Sequence, residues 1–261
     1  MSLGADGLRL AVGAPQNAGN GAGSGQVRVF DWDAGAWVQA GIDIDGEAAG
    51  DASGSSVSLS ADGLRLAVGA PQNAENGAGS GQVRVFDWDA GAWVQAGVDI
   101  DGEAAGDASG SSVSLSADGL RLAVGAPQNA GNGAGSGQVR VFDWDAGTWV
   151  QAGIDIDGEA AGDAFGSSVA LSADGLRLAV GATANDGNGS NAGQVRVFDW
   201  SAGAWVQSSQ DLDGEAPGDA FGSSVALSAD GLRVAAGASS NDGNGDLAGH
   251  VRVFKPEGET L

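Results

Sequence analysis

The chain has 261 residues and is strongly acidic, with 34 acidic against 11 basic side chains and a formal net charge of −23. Such a chain repels duplex nucleic acid and anionic membranes, so cations or basic surfaces are the expected partners. It contains no cysteine, which excludes a disulfide scaffold. No apolar run approaches the roughly 20 residues of a membrane span. Residues 1–4 align inside a repeat, so we expect no signal peptide and no membrane insertion.

One stretch, residues 54–71, organises the chain because it returns almost unchanged from Gly110, Gly166 and Gly222. The period is marked by an alanine in every copy: Ala14, Ala70, Ala126, Ala182 and Ala238. A fixed period of this kind is typical of blades or coils stacked in an array. We therefore predict a single domain over residues 1–261. Its repeats are predicted at approximately 1–52, 53–108, 109–164, 165–220 and 221–261.

Each repeat reads as four short strands, which in the second repeat are predicted at residues 56–60, 64–70, 82–88 and 92–100. Val57 and Leu59 alternate with serines, the two-residue period of a strand. Asp62 and Gly63 then form a hairpin turn. An Asn- and Gly-rich loop precedes the third strand, and a turn at residues 89–91 leads into the fourth.

Four antiparallel strands with apolar residues on both faces are typical of a propeller blade, and no window shows helical periodicity. We predict an all-β, five-bladed β-propeller built from five 56-residue, four-stranded repeats, the last of them incomplete. The last blade then has three strands, or a short fourth strand from residues 257–261. Its exposed edge favours a monomer or a weak dimer through residues 251–254.

The later repeats carry a recognisable motif. Phe165-Gly166 followed by Gly181-Ala182 resembles the FG-GAP repeat, and Gly69-Ala70-Pro71 supplies the full second half. The resemblance implies a β-propeller like that of integrin α-chains and of bacterial and algal surface proteins. It also implies an extracellular or cell-surface location, and adhesion or ligand binding. Ser53 and Ser109 replace the motif phenylalanine, and the turn at residues 60–63 lacks the family's calcium ligands, so that metal site is not carried over.

Each of the first four repeats has two tryptophans that the predicted two-residue turn places opposite each other. The pairs are Trp32/Trp37, Trp88/Trp93, Trp144/Trp149 and Trp200/Trp205. Such a pair either stabilises the outer hairpin by cross-strand packing or forms a platform on which a sugar ring stacks. The second interpretation makes a carbohydrate-binding lectin the alternative function.

An acidic connection follows the fourth strand of each repeat, and its glycines alternate with carboxylates. The candidate metal ligands are Asp43, Asp45, Glu47, Asp51, Asp99, Asp101, Glu103, Asp107, Asp155, Asp157, Glu159, Asp163, Asp211, Asp213, Glu215 and Asp219. Oxygen ligands at alternate positions suit a hard cation, with Ca²⁺ the candidate and no cofactor required. Residues 242–246 are a second candidate. The other interpretation is a solvated acidic turn.

The sequence gives no support to catalysis. His250 is the only histidine, and the serines recur in every repeat, where they suit a crowded strand. The ten arginines fall two per repeat, and we expect them to form ion pairs between blades. We therefore predict a non-enzymatic interaction or adhesion module that presents loops on a propeller scaffold. The natural protein or glycan ligand is not identified by the sequence.

Overall fold

The computed structural model describes residues 1–208 and 210–255, and within these ranges the regular structure is entirely β. The strands form five sheets in chain order, one for each repeat. Contacts divide the chain into two compact units, residues 1–122 with 142–150 and residues 123–141 with 151–261.

The first unit holds two whole sheets. The first sheet consists of β1 (Ser2–Leu3), β2 (Arg9–Gly13), β3 (Gln26–Asp33), β4 (Ala36–Gln39) and β5 (Ile44–Asp45). The second sheet consists of β6 (Ser56–Leu59), β7 (Arg65–Ala70), β8 (Gln82–Asp89), β9 (Ala92–Gln95) and β10 (Ile100–Asp101). The third sheet has residues in both units and consists of β11 (Ser112–Leu115), β12 (Arg121–Ala126), β13 (Gln138–Asp145), β14 (Thr148–Gln151) and β15 (Ile156–Asp157).

The second unit holds the last two sheets. The fourth sheet consists of β16 (Phe165–Leu171), β17 (Arg177–Ala182), β18 (Gln194–Ser201), β19 (Ala204–Gln207) and β20 (Leu212–Asp213). In the described residues the fifth sheet has three strands, β21 (Phe221–Leu227), β22 (Val234–Ala238) and β23 (His250–Phe254). The predicted fold class, an all-β propeller of five blades with an incomplete last blade, is confirmed. Residues 257–261, the predicted alternative fourth strand, lie outside the described residues.

The predicted fourth strand over residues 92–100 is wrong in its extent. The structure has β9 at Ala92–Gln95 and a separate two-residue β10, and both pair with β8 at different points along its edge. The break falls at Gly97, whose φ of 83° is left-handed. A Cβ there would lie 2.9 Å from the ring of Trp144 in the next repeat. This close approach of backbone to ring selects glycine and interrupts the strand.

The core forms where one sheet packs on the next. We call the side of a repeat that packs on the following repeat its forward face, and the opposite side its rear face. Between the first two repeats, Val27 and Val29 on the forward face meet Leu66 and Val68 on the rear face, and all four are buried. Burying each such side chain contributes roughly 1.5–3 kcal/mol. The same packing recurs in the second unit.

Candidate functional site

A small groove recurs at the rim where successive repeats meet, and each of the three described here lies within one unit. The first, of about 320 Å³, is lined by Asp6, Leu8, Arg9, Asp31, Trp32, Asp62, Leu64 and Trp88. The second, of about 280 Å³, has seven equivalent residues one period later, with a serine in place of the second tryptophan: Ser60, Asp62, Leu64, Arg65, Asp87, Trp88, Asp118 and Leu120. The third, of about 230 Å³, is lined by Ser172, Asp174, Leu176, Arg177, Asp199, Trp200, Asp230 and Leu232. We call these the acidic grooves.

The hairpin turn between the first two strands of a repeat places one aspartate at the groove rim. Asp62 Oδ1 accepts the Leu64 N–H at 3.0 Å and the Ser60 hydroxyl at 2.6 Å. The Asp62 carboxylate is held in a fixed position, because its Oδ1 atom accepts the hydrogen bonds that close the turn. The Ser172 hydroxyl and the Leu176 N–H hold the pKa of the equivalent Asp174 below its usual value. The rim carboxylate therefore stays charged in mildly acidic solution.

An arginine forms the floor of each groove. In the second groove Arg65 donates from Nε and Nη2 to both carboxylate oxygens of Asp87, at 2.6 and 2.8 Å. Its Nη1 donates to the Gly119 carbonyl of the next repeat at 3.1 Å. The guanidinium also lies 4.7 Å from the ring centroid of Trp144, a cation–π distance. One side chain therefore ties two repeats together.

The predicted ion pairing between blades is wrong for Arg65 and its equivalents, because the bidentate partner lies on the same sheet. Arg65 and Asp87 are cross-strand neighbours, so the sheet register brings them together. The prediction is confirmed for the second arginine of the repeat. Arg84 donates from Nη2 to the Asp45 carbonyl of the preceding repeat at 2.7 Å and pairs with Glu47 at 3.7 Å.

The tryptophan pairs have the predicted geometry. Their ring centroids are separated by 5.1–5.3 Å in all four repeats. The turn is of the primed type, since Ala90 and Gly91 have φ of 48° and 91°. Trp93 Nε1 donates to the Ala40 carbonyl of the preceding repeat at 3.2 Å, so the pair packs between repeats. In the first repeat, however, Trp32 and Trp37 are 44% and 41% exposed.

The sugar-stacking role of the tryptophans stays a prediction, and the packing of repeats restricts access to Trp149 and Trp205. Trp149 is buried, with 9% of its surface exposed, and its Nε1 donates to the Ala96 carbonyl of the preceding repeat at 3.2 Å. Trp205 is partly buried and packs, together with Trp200, against the core between the third and fourth repeats. The Nε1 atom of Trp205 is inaccessible to solvent. Both rings therefore help to pack the outer hairpin against the neighbouring repeat.

Several of the predicted metal ligands have protein partners. Asp43 accepts from Arg28 Nε at 3.0 Å and from Gln39 Nε2 at 2.7 Å, and the Arg28 hydrogen bond lowers the pKa of Asp43. Asp51 is buried, and its Oδ2 accepts the Ala48 N–H at 2.9 Å.

The later connections repeat this arrangement. Asp107, Asp163 and Asp219 each accept a backbone N–H three residues earlier. Among the residues that the structure describes, no three Asp, Glu or His side chains form a group able to hold a metal ion. Calcium binding by the acidic connections stays a prediction.

The strand pattern did not indicate the acidic grooves. The predicted second strand begins at residue 64, but β7 begins at Arg65 and Leu64 lies exposed in the turn. The same leucine is exposed in every repeat: Leu8, Leu64, Leu120, Leu176 and Leu232. The signal in the sequence that could have indicated the grooves was a leucine two residues after an aspartate, repeated at a fixed period.

Tandem blades of this kind define a repeat-built β-propeller. Residues 154–198, which run from the third connection through most of β18, match the family model of the FG-GAP repeat. The chain therefore carries an FG-GAP repeat, and the resemblance seen in the sequence is confirmed. No curated protein matches the chain. In the described residues no helix is long and apolar enough to span a membrane.

Proposed function

We propose that the protein is a non-catalytic interaction module that adheres to a cationic protein surface through its acidic grooves. The observation that carries the proposal is the recurrence of one groove composition at successive repeat boundaries. A site that recurs with the repeat suits a ligand that presents several similar groups, because linked weak contacts add by avidity.

The charge of each groove favours a cation. In the first groove Arg9 neutralises Asp31, and Asp6 and Asp62 make no salt bridge with any described residue. The groove therefore carries two carboxylates outside any described salt bridge, beside the ring of Trp32 and the side chain of Leu8. A lysine or arginine side chain matches this set, since its stem is apolar and its head is attracted by both carboxylates and rings.

The family resemblance supports the same class of function. It favours an extracellular or cell-surface location and a role in binding, and we extend both to this chain. The hydroxyl of Ser223 donates to the Gly237 carbonyl at 3.2 Å, a structural bond within a strand pair. We expect no turnover of ester, glycoside or phosphate substrates. Turnover that is lost in Ser223→Ala or His250→Gln would contradict a non-catalytic role.

The experiment uses an oligolysine peptide as the probe. The test variant combines Asp6→Asn, Asp62→Asn and Asp118→Asn, which keeps the Oδ1 acceptor that closes each turn. The control variant combines Asp33→Asn, Asp89→Asn and Asp145→Asn, which removes the same charge from exposed hairpin turns. We expect salt-sensitive binding, weakened at least tenfold in the test variant and little changed in the control. Equal weakening in both variants would show that total charge, not the grooves, attracts the peptide.

A carbohydrate-binding function is the second candidate. Its supporting observation is the exposed pair Trp32 and Trp37, whose rings offer a stacking surface in the first repeat. A glycan array separates the two candidates. Sugar binding that is lost in Trp37→Ala, together with no binding of oligolysine, would favour the lectin over the cation-binding module.

A further inference from the structure

The outer hairpin of a repeat leaves one edge of its sheet unpaired. The strands β4, β9 and β19 each pair with the third strand of their own sheet and with no other described strand. Nearly all of their residues are exposed to solvent. Each of these strands therefore presents a free edge of backbone N–H and C=O groups.

The free edges lack the side chains that usually protect an edge strand. Such strands are commonly guarded by a lysine, a proline or a bulge. All three strands read Ala-Trp-Val-Gln, so none carries a charge or a proline. Their valines, Val38, Val94 and Val206, are 52%, 51% and 53% exposed. An apolar side chain therefore stands beside each open edge, which favours pairing with another strand.

The register of the outer hairpin shows which backbone groups are available. The two-residue turn places Ala92 in a hydrogen-bonded pair with β8, and such pairs alternate along the strand. The alternation holds beyond the strand, because the Ala96 N–H donates to the Val85 carbonyl at 2.8 Å. Trp93 and Gln95 occupy the positions between, so their N–H and C=O groups point away from β8. The edge thus offers two donors and two acceptors in a row.

The apolar surface of the edge continues past the strand. Ile42 and Val98 are 82% and 73% exposed, and each follows the valine of its strand by four residues. A partner segment longer than the strand can therefore cover two aliphatic side chains, one within the strand and one after it.

The charge beside the edges favours a basic partner over a second copy of this chain. The glutamine that ends each strand holds a carboxylate at 2.6–2.7 Å from its Nε2 atom, in the pairs Gln39–Asp43, Gln95–Asp99 and Gln207–Asp211. A second copy brings the same carboxylates and a net charge of −23, so it is repelled. A segment that carries a lysine beside its apolar residues is attracted.

We propose that these edges bind an extended, lysine-bearing segment of another protein by strand addition. The segment pairs with the N–H and C=O groups of Trp93 and Gln95, one of its apolar side chains covers Val94, and its lysine lies near Asp99. Main-chain hydrogen bonds supply the affinity, and the alternating side chains supply the selectivity. The site consists of backbone groups and apolar side chains, so it is separate from the acidic grooves. One four-residue edge binds weakly, and several edges add by avidity.

The first test uses the unaltered protein and two peptides in isothermal titration calorimetry. The probe is a soluble peptide in which valine and threonine alternate between flanking lysines. The comparison peptide has the same sequence and charge, but every valine and threonine is N-methylated, which removes its main-chain donors. We expect the probe to bind and the methylated peptide to lose at least tenfold in affinity. Equal binding of both peptides would overturn the proposal, because charge alone would then explain the binding.

The second test removes the donor from the protein. Proline at the last position of the strand eliminates the outward N–H and leaves the hydrogen bonds to the third strand in place. Alanine at the same position loses the same side chain but keeps the N–H. The proline variant combines Gln39→Pro, Gln95→Pro, Gln151→Pro and Gln207→Pro, and the alanine variant changes the same four residues. We expect at least tenfold weaker binding of the probe in the proline variant and most of the affinity in the alanine variant, and equal affinities would contradict the proposal.

Amide hydrogen exchange shows where the probe is bound. The probe should slow exchange at Trp93 and Gln95, whose N–H groups point to the free edge. It should leave Ala92 and Val94 unchanged, because their N–H groups are already bonded to β8. Exchange at Trp93 and Gln95 that does not respond to the probe would overturn the proposal.

Two other occupants are distinguished in the same experiments. The variant with Asp6→Asn, Asp62→Asn and Asp118→Asn should still bind the probe, since the edges are unaltered. Loss of all binding in that variant would overturn the proposal and place the peptide in the acidic grooves. Self-association of the wild-type protein that the proline variant abolishes would overturn it as well, because a second copy would then be the occupant.

Discussion

Ser53 occupies a buried position that other repeats fill with phenylalanine. Ser53 is fully buried, and its Oγ has no hydrogen-bond partner among the described residues. The equivalent Phe165 and Phe221 are also fully buried. Each lies 4.1 Å under a guanidinium, that of Arg196 or Arg252. We predict that Ser53→Phe stabilises the protein.

The backbone at this site already suits phenylalanine. Ala52 and Ala164, which precede the two positions, both have φ of 56°. A Cβ built on Gly46 would lie 3.1 Å from the Ser53 Cβ, and the corresponding distance at Phe165 is 3.0 Å. The side chain at residue 53 therefore leaves the backbone from the same place as the side chain of Phe165.

The expected change in the free energy of unfolding combines two stabilising effects and one destabilising effect. Burying a phenylalanine side chain contributes about 1.5–3 kcal/mol. Removing a buried, unpartnered hydroxyl contributes about 1–3 kcal/mol. Displacing neighbours such as Arg84 costs about 1–3 kcal/mol. The net change in the free energy of unfolding is about 2 kcal/mol, which corresponds to a rise in Tm of about 4–8 °C for a chain of this size.

The assay is thermal and urea unfolding of Ser53→Phe beside two comparison variants. Ser55→Phe adds the same side chain at an exposed position, so it should leave Tm nearly unchanged. Phe165→Ser makes the reverse change and should destabilise by about 3–5 kcal/mol. A Tm that falls in Ser53→Phe would refute the reasoning, because it would mean that other side chains already fill the space.

Three further predictions concern the inter-repeat contacts and the acidic groups. Arg65→Lys loses the bidentate pair and the ring contact, so the free energy of unfolding should fall by about 1–3 kcal/mol in urea; an unchanged value would show that the side chain only covers the surface. The lowered pKa of Asp174 means that its stabilisation is present above the usual aspartate pKa of about 3.9 and is lost as pH falls through the folded value. Ser172→Ala should weaken that dependence in unfolding measured from pH 6 to pH 3, and identical profiles would contradict it. If the acidic connections bind calcium, calcium added after chelation should raise Tm in proportion to ln(1 + [Ca]/Kd). Asp43→Asn combined with its three equivalents should reduce that rise. A constant Tm up to millimolar calcium would show that the connections are solvated turns that bind no calcium.

The fold could be predicted because its signals are local and repeated. Alternation at Val57 and Leu59, and the turn at Asp62-Gly63, define strands within a few residues. The pairing of Trp88 with Trp93 follows from the length of one turn. The break between β9 and β10 could not be predicted in this way, since it depends on Trp144 of the next repeat pressing on Gly97.

The exposure of the tryptophan rings could not be predicted from the turn that pairs them. Trp37 and Trp149 occupy the same position in the repeat, yet Trp37 is 41% exposed and Trp149 is 9% exposed. Trp149 is covered because the preceding repeat supplies Ala96. The exposure of a tryptophan ring therefore depends on the neighbouring repeat and not on the turn that pairs it.

The acidic grooves depend on contacts between repeats, which the sequence of a single repeat does not encode locally. Arg65 was expected to pair across blades, but the strand register gives it Asp87 on its own sheet. That pairing leaves Asp62 and Asp118 without a basic partner at the rim among the described residues. The net negative charge of the groove is thus a consequence of which aspartate the register assigns to the arginine.

Burial at a strand position also cannot be predicted from one repeat alone. Val195 and Val251 occupy the same position in the repeat, yet one is fully buried and the other is mostly exposed. Val195 packs in a core with Phe221 and Val234 of the following repeat. The burial of such a position therefore depends on a neighbouring sheet, which the sequence of the strand itself does not encode.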